Sequence, residues 1–93
     1  MRSIEVEVRN ESGLHARPAA AFVRAAAGFV SIVRLENVTL AGSAVDAKSI
    51  VGVMGSGVER GHKVRVVADG ADEDRAVETL RDLLVGLGEP VGE

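Results

Sequence analysis

Cysteine, tryptophan and tyrosine are absent from this 93-residue chain, proline occurs twice, and the only aromatic side chains are Phe22 and Phe29. Without cysteine there can be no disulfide framework, thiolate zinc site or thiol nucleophile, and two histidines make a poor transition-metal site. No metal and no cofactor are therefore expected. With so few aromatics the core must be built from Val, Leu, Ile and Ala. A formal net charge of -3, with neither Tyr nor Trp, offers neither the positive field nor the stacking platform that nucleic-acid binding usually needs. No apolar run approaches the ~18 residues that cross a bilayer, and the start of the chain alternates charged and apolar residues where a signal peptide would have an apolar core. A cytoplasmic protein, with no nucleic-acid or membrane partner, is the expectation.

What is present fits one small α+β domain. The chain is too short for two independent cores, and 46% hydrophobic with 27% charged residues is ordinary globular composition. Ile4, Val6 and Val8 alternate with Glu5, Glu7 and Arg9 as a strand with one wet face. Ala16 to Ala27 reads as a helix stopped by Gly28, with Ala19, Phe22, Val23 and Ala26 as its inward stripe and Pro18 tolerated near its start. Val33 and Leu35 mark a second strand, and Val38, Leu40, Ala44 and Val45 predict a third across a hairpin at Ala41 to Ser43. Ile50 to Met54, opened by Asp46 to Ser49 and closed by Gly55 to Gly57, reads as a short helix with Val53 its most buried residue. Val64, Val66 and Ala68 give a fourth strand. A last helix is expected from Ala71 or Asp72, with Ala76, Val77, Leu80, Leu83, Leu84 and Leu87 facing inward, ending at Gly86, Gly88 and Pro90. The order βαββαβα suggests a two-layer sandwich: a four-stranded antiparallel sheet with three helices on one face.

One segment carries chemistry. Gly13 to Ala19 sets His15 at the start of the first helix, two positions before Arg17. A helix N-terminus disfavours imidazolium and favours an anion, so a neutral, nucleophilic ring is expected there. A phosphoryl group on that ring would meet the amides of Ala16 and Arg17 and the Arg17 guanidinium. The plainer alternative is that His15 only caps the helix. No nucleotide loop, magnesium carboxylate set or Ser-His-Asp arrangement is visible, so such a site could hold a phosphoryl group without generating one. His62 reads as a surface or loop histidine.

Taken together, Gly13-Leu-His15-Ala-Arg17-Pro-Ala19 and Lys48-Ser49-Ile50-Val51-Gly52-Val53-Met54 closely resemble the HPr phosphocarrier family of the bacterial phosphoenolpyruvate:sugar phosphotransferase system. The resemblance covers nearly the whole chain. It implies an open-faced β-sandwich over residues 1–88, leaving 89–93 as a loose tail. It implies a carrier that is not itself an enzyme and is expected to be monomeric. His15 would take a phosphoryl group on Nδ1 from enzyme I and pass it to EIIA domains for sugar uptake, with Arg17 as the phosphate partner. Docking would use Ala20, Arg24, Ile50, Val51 and Met54. Ser49 would be a regulatory phosphorylation site for an HPr kinase/phosphorylase, altering partner choice, a transcriptional regulator among them. The resemblance equally admits a paralogue or co-effector that regulates nitrogen or carbon metabolism, or dihydroxyacetone kinase, by docking. Two departures stand out: the stretch from Glu36 to Val45 is a few residues longer than usual, and Ser56 occupies a place often held by leucine.

Overall fold

Inward-facing Val, Leu and Ala recur with period two in the strands and with helical spacing between them, so each element has one face to bury and the faces close on a single core. The structure is a computed structural model describing residues 1–9, 13–14 and 16–85. The elements are β1 (Arg2–Glu7), α1 (Ala16–Ala27), β2 (Ile32–Asn37), β3 (Val45–Asp46), α2 (Ile50–Gly55), β4 (Lys63–Asp69) and α3 (Glu73–Leu84). They form a four-stranded sheet in the order β1-β4-β2-β3, all neighbours antiparallel.

That order is dictated by the crossovers. β1 and β2 both run antiparallel to β4, so they are parallel to each other and need a long connection, which α1 supplies. β3 and β4 stand in the same relation across β2, and α2 connects them. The helices consequently cover one face. Phe22 of α1, Leu35 of β2, Val64 and Val66 of β4, and Leu80 and Leu84 of α3 are fully buried there, together with Leu14. The opposite face is largely polar, with Ile32 exposed on it, and carries a matched charge cluster. Arg65 faces Glu5 on one side and Glu36 on the other, and its guanidinium bonds both carboxylates. These bonds, led by the one Arg65 donates to Glu5, hold Arg65 even more firmly protonated than an ordinary arginine.

Three expectations need correction. The predicted third strand is reduced to Val45 and Asp46, and Val38 to Ala41 form a turn. The Val38 and Thr39 amides both donate to the carbonyl of Lys63, and the Asn37 side chain accepts from the Leu40 amide, so this stretch is satisfied without a β3 partner. Leu40 therefore points outward, 56% exposed. Secondly, α3 starts at Glu73 with Asp72 at its N-cap position, yet the Asp72 carboxylate makes no capping bond to its own helix. It accepts instead from Ser31 Oγ, from the Ser31 amide (3.0 Å) and from the Val30 amide (2.9 Å). Thirdly, β1 closes at Glu7, and Val8 is buried just beyond it, its amide bonded to the His62 carbonyl. Val23 and Leu83 do pack against the core as expected, though at its edge and only half-buried. Leu87, the Gly86-Gly88-Pro90 stop and the tail lie outside the described residues.

Asp72 thus fastens the start of the last helix to the loop that leaves the first. A Cβ on Gly70 would come within 2.6 Å of Ser31 Oγ, so the two loops are in direct contact. The Ser31 hydroxyl bond chiefly holds the Asp72 carboxyl below its ordinary value; burial opposes it, and the Val30 and Ser31 amides add to the lowering. A carboxyl depressed in the folded state contributes stability that is complete above its unfolded pKa and disappears as pH falls through the folded one. Asp72→Asn should therefore melt below wild type at neutral pH, and the difference should shrink as pH falls below about 4. Thermal melts of both proteins across that range check this.

Candidate functional site

Two backbone contacts with the residues just after Gly55 hold the chain that leads into α1. Gly13 has φ +58, and a Cβ there would lie 2.4 Å from the Val58 carbonyl oxygen and 2.6 Å from Glu59 Cα. Only glycine allows so close an approach. The Leu14 amide then donates to the same Val58 carbonyl at 3.0 Å, and the Leu14 side chain is fully buried. The chain that leads into α1 is in this way anchored to the residues that leave α2. The part played by Val58 carried no signal in the sequence.

His15 lies outside the described residues, between the anchored Leu14 and Ala16, the first residue of α1. The amides of Ala16 and Arg17 belong to the first turn, where N–H groups point out along the helix axis and the dipole is positive. That turn carries no acidic side chain, and Arg17 is exposed. This environment suits an anion.

α2 packs against α1 and holds the second motif. Ser49 is its N-cap: Oγ accepts from the Gly52 amide at 3.1 Å and the Ser49 carbonyl from the Val53 amide at 2.9 Å. Lys48 Nζ donates to the Phe29 carbonyl at 2.8 Å, tying the start of α2 to the chain just past the end of α1. Val53 is the residue α2 buries. Ile50, Val51 and Met54 are 40%, 78% and 42% exposed, and on α1 Arg24 is exposed and Ala20 half-buried. The two motifs, far apart in the chain, thus lie on neighbouring helices with an apolar surface available to a visitor.

Sequence reasoning missed a polar hub below this surface. Asn37, 1% exposed, donates from Nδ2 to the Ser56 carbonyl (3.1 Å), lies 3.2 Å from His62 Nδ1, and accepts the Leu40 amide on Oδ1 (3.2 Å). His62 Nδ1 also accepts the Glu59 amide at 3.2 Å, so the ring is an acceptor at Nδ1 and a structural part of its loop. His62 is half-buried. One signal was available: the alternation Val33, Leu35, Asn37 puts an asparagine on the buried face, where its amide must be satisfied. Ser56, the departure noted above, closes α2, with Oγ donating to the Val53 carbonyl.

An antiparallel sheet with three helices on one face and two interleaved βαβ crossovers is an open-faced β-sandwich. The model of the family described as "PTS HPr component phosphorylation site" matches residues 2–85, and the chain belongs to the HPr family. It is 49% identical over 76 residues to the HPr-like protein Crh of Bacillus subtilis, covering 82% of this chain and 86% of that one. It is 42% identical over 85 residues to the multiphosphoryl transfer protein of Haemophilus influenzae, covering 90% of this chain but 17% of that protein's length. Among solved structures, HPr-C-His from Thermoanaerobacter tengcongensis superposes with a TM-score of 0.87 at 41% identity, covering 98% of this chain and all of that one.

Two substitutions test the local geometry. Gly13→Ala forces a Cβ into backbone at a left-handed φ and should cost about 1–3 kcal/mol. Ser49→Ala removes the α2 cap and should cost about 1 kcal/mol. Chemical denaturation ranks them; equal and negligible losses would contradict the anchoring described.

Proposed function

We propose that the protein is a stoichiometric phosphohistidine carrier of the sugar phosphotransferase system, accepting a phosphoryl group on His15 from enzyme I and delivering it to EIIA domains. The observation that supports this best is the anchored start of α1. Gly13 and Leu14 are fixed against Val58 and Glu59 on one side of His15, and the first-turn amides and Arg17 follow on the other. The neutral ring attacks through the Nδ1 lone pair. The P–N bond on the donor histidine breaks as the new one forms, and the transferred group meets the amides of Ala16 and Arg17 and the Arg17 guanidinium. Positioning rather than bond-making chemistry is what this chain provides, and the partners supply the rest. In this role it works as a cytoplasmic monomer with no cofactor, docking through Ala20, Arg24, Ile50, Val51 and Met54.

Likeness to Crh, from a protein whose solution structure is described as "catabolite repression HPr", favours a second, regulatory role at Ser49. The Ser49 hydroxyl already faces the start of α2, so a phosphate there would be tolerated by the free helix end. It would also add about -1.5 to -2 charge beside Ile50 and Val51. The expected consequence is a change of partner, to a transcriptional regulator, without unfolding. An HPr kinase/phosphorylase would be the modifying enzyme.

Incubation with enzyme I and phosphoenolpyruvate should give an acid-labile phosphate that is absent in His15→Ala. Arg17→Ala should still be labelled, about 10- to 100-fold more slowly. Full labelling of His15→Ala would refute the carrier role. Separately, incubation with ATP and an HPr kinase should give an acid-stable phosphate at Ser49; its absence would remove the regulatory role and leave the carrier intact.

A further inference from the structure

The longer β2–β3 connection has a physical consequence at the rim of the apolar surface. Leu40 is 56% exposed at the top of the turn that replaces the expected third strand. Its position is fixed from several directions. The Leu40 amide is held by Asn37 Oδ1, and the same asparagine bonds the Ser56 carbonyl at the end of α2. Preceding residues Val38 and Thr39 are tied to the Lys63 carbonyl, and Thr39 Oγ1 accepts the Lys63 amide at 2.7 Å. Leu40 Cδ1 lies 3.4 Å from where a Cβ on Gly57 would stand, and the Gly57 amide reaches back to the carbonyl of Met54. The leucine is thus laid over the exit of α2, beside the helix that exposes Ile50, Val51 and Met54.

A large exposed aliphatic side chain on a backbone already fixed by a buried, fully bonded asparagine needs little backbone ordering on contact, a favourable situation for binding. Charge indicates what it contacts. Residues 12–30 and 47–58, which contain α1 and α2, include no Asp or Glu but carry Arg17, Arg24 and Lys48, although the whole chain is net -3. A partner matched to this face is an apolar protein surface rimmed by carboxylates.

Resting on the carrier role proposed above, we infer that Leu40 is a docking residue that extends the α2 surface of this chain toward an apolar, carboxylate-rimmed protein partner. It contributes to recognition and not to the transfer step. Steady-state phosphoryl transfer from enzyme I, with the carrier as varied substrate, separates the two. Leu40→Ser should raise KM about tenfold with kcat unchanged, Leu40→Met should restore most of the loss, and Val30→Ser, at the opposite end of β2, should behave as wild type. Rising ionic strength should raise KM for wild type. Unchanged KM in Leu40→Ser, or a fall in kcat alone, would overturn the assignment while leaving the carrier role standing. A KM insensitive to salt would overturn the carboxylate-rimmed partner. A wild-type protein that enzyme I does not label at His15 would overturn the carrier role, and this assignment with it.

Discussion

Everything at the candidate site depends on one backbone approach, that of Gly13 and Leu14 to Val58 and Glu59. A carbonyl lies where any side chain at position 13 would have to begin, and the next amide bonds that same carbonyl. The start of α1 is therefore positioned by the residues that leave α2 and not by α1 itself. Lys48 makes a complementary tie at the other end, where the start of α2 reaches the chain just past α1. Two helices joined near both ends form a rigid pair, and a rigid pair can hold a reactive side chain on one helix and a docking surface on the other in constant register.

The sheet makes this pairing affordable in a chain of this size. Interleaved crossovers put every helix on one face, so a single core of Val, Leu and Ala with one central phenylalanine serves all seven elements. The uncovered face stays soluble through matched charges, with Arg65 between Glu5 and Glu36. Asp72 performs a related task at the far end by joining the loops after α1 and before α3. The fold thus has specific polar fasteners at both ends: Asn37 beside the candidate site and Asp72 opposite it.

Much of this was readable in the sequence. Period-two alternation marked β1, β2 and β4, and the apolar stripe of α1 with its Gly28 stop marked that helix to its observed ends, because these patterns arise from burial of one face. The Ser49 cap was visible because serine before an apolar run has a local reason to be there. The failures share a cause. Asp72 could have capped its own helix, and Val38 and Leu40 could have alternated in a strand. Which outcome prevails depends on Ser31 and Lys63, tens of residues away, whose proximity no local pattern reveals. His62 is a loop residue as expected, and only its acceptor role toward the Glu59 amide was not legible. Asn37 was the one legible hint, a polar residue where the alternation demanded an apolar one. His15, the centre of the functional argument, was located by its motif alone and lies outside the described residues.

The proposed carrier role would gain its function from placement: the described residues offer the first-turn amides of α1, which suit an anion, and an apolar surface on the neighbouring α2. The most direct measurement is phosphorus-31 and nitrogen-15 NMR of the protein charged with phosphoenolpyruvate and a catalytic amount of enzyme I. A single phosphoramidate signal coupled to Nδ1 of His15 is the predicted result. A phosphorylated Nε2, a phosphate on any other side chain, or no P–N signal from fully folded protein would contradict the account.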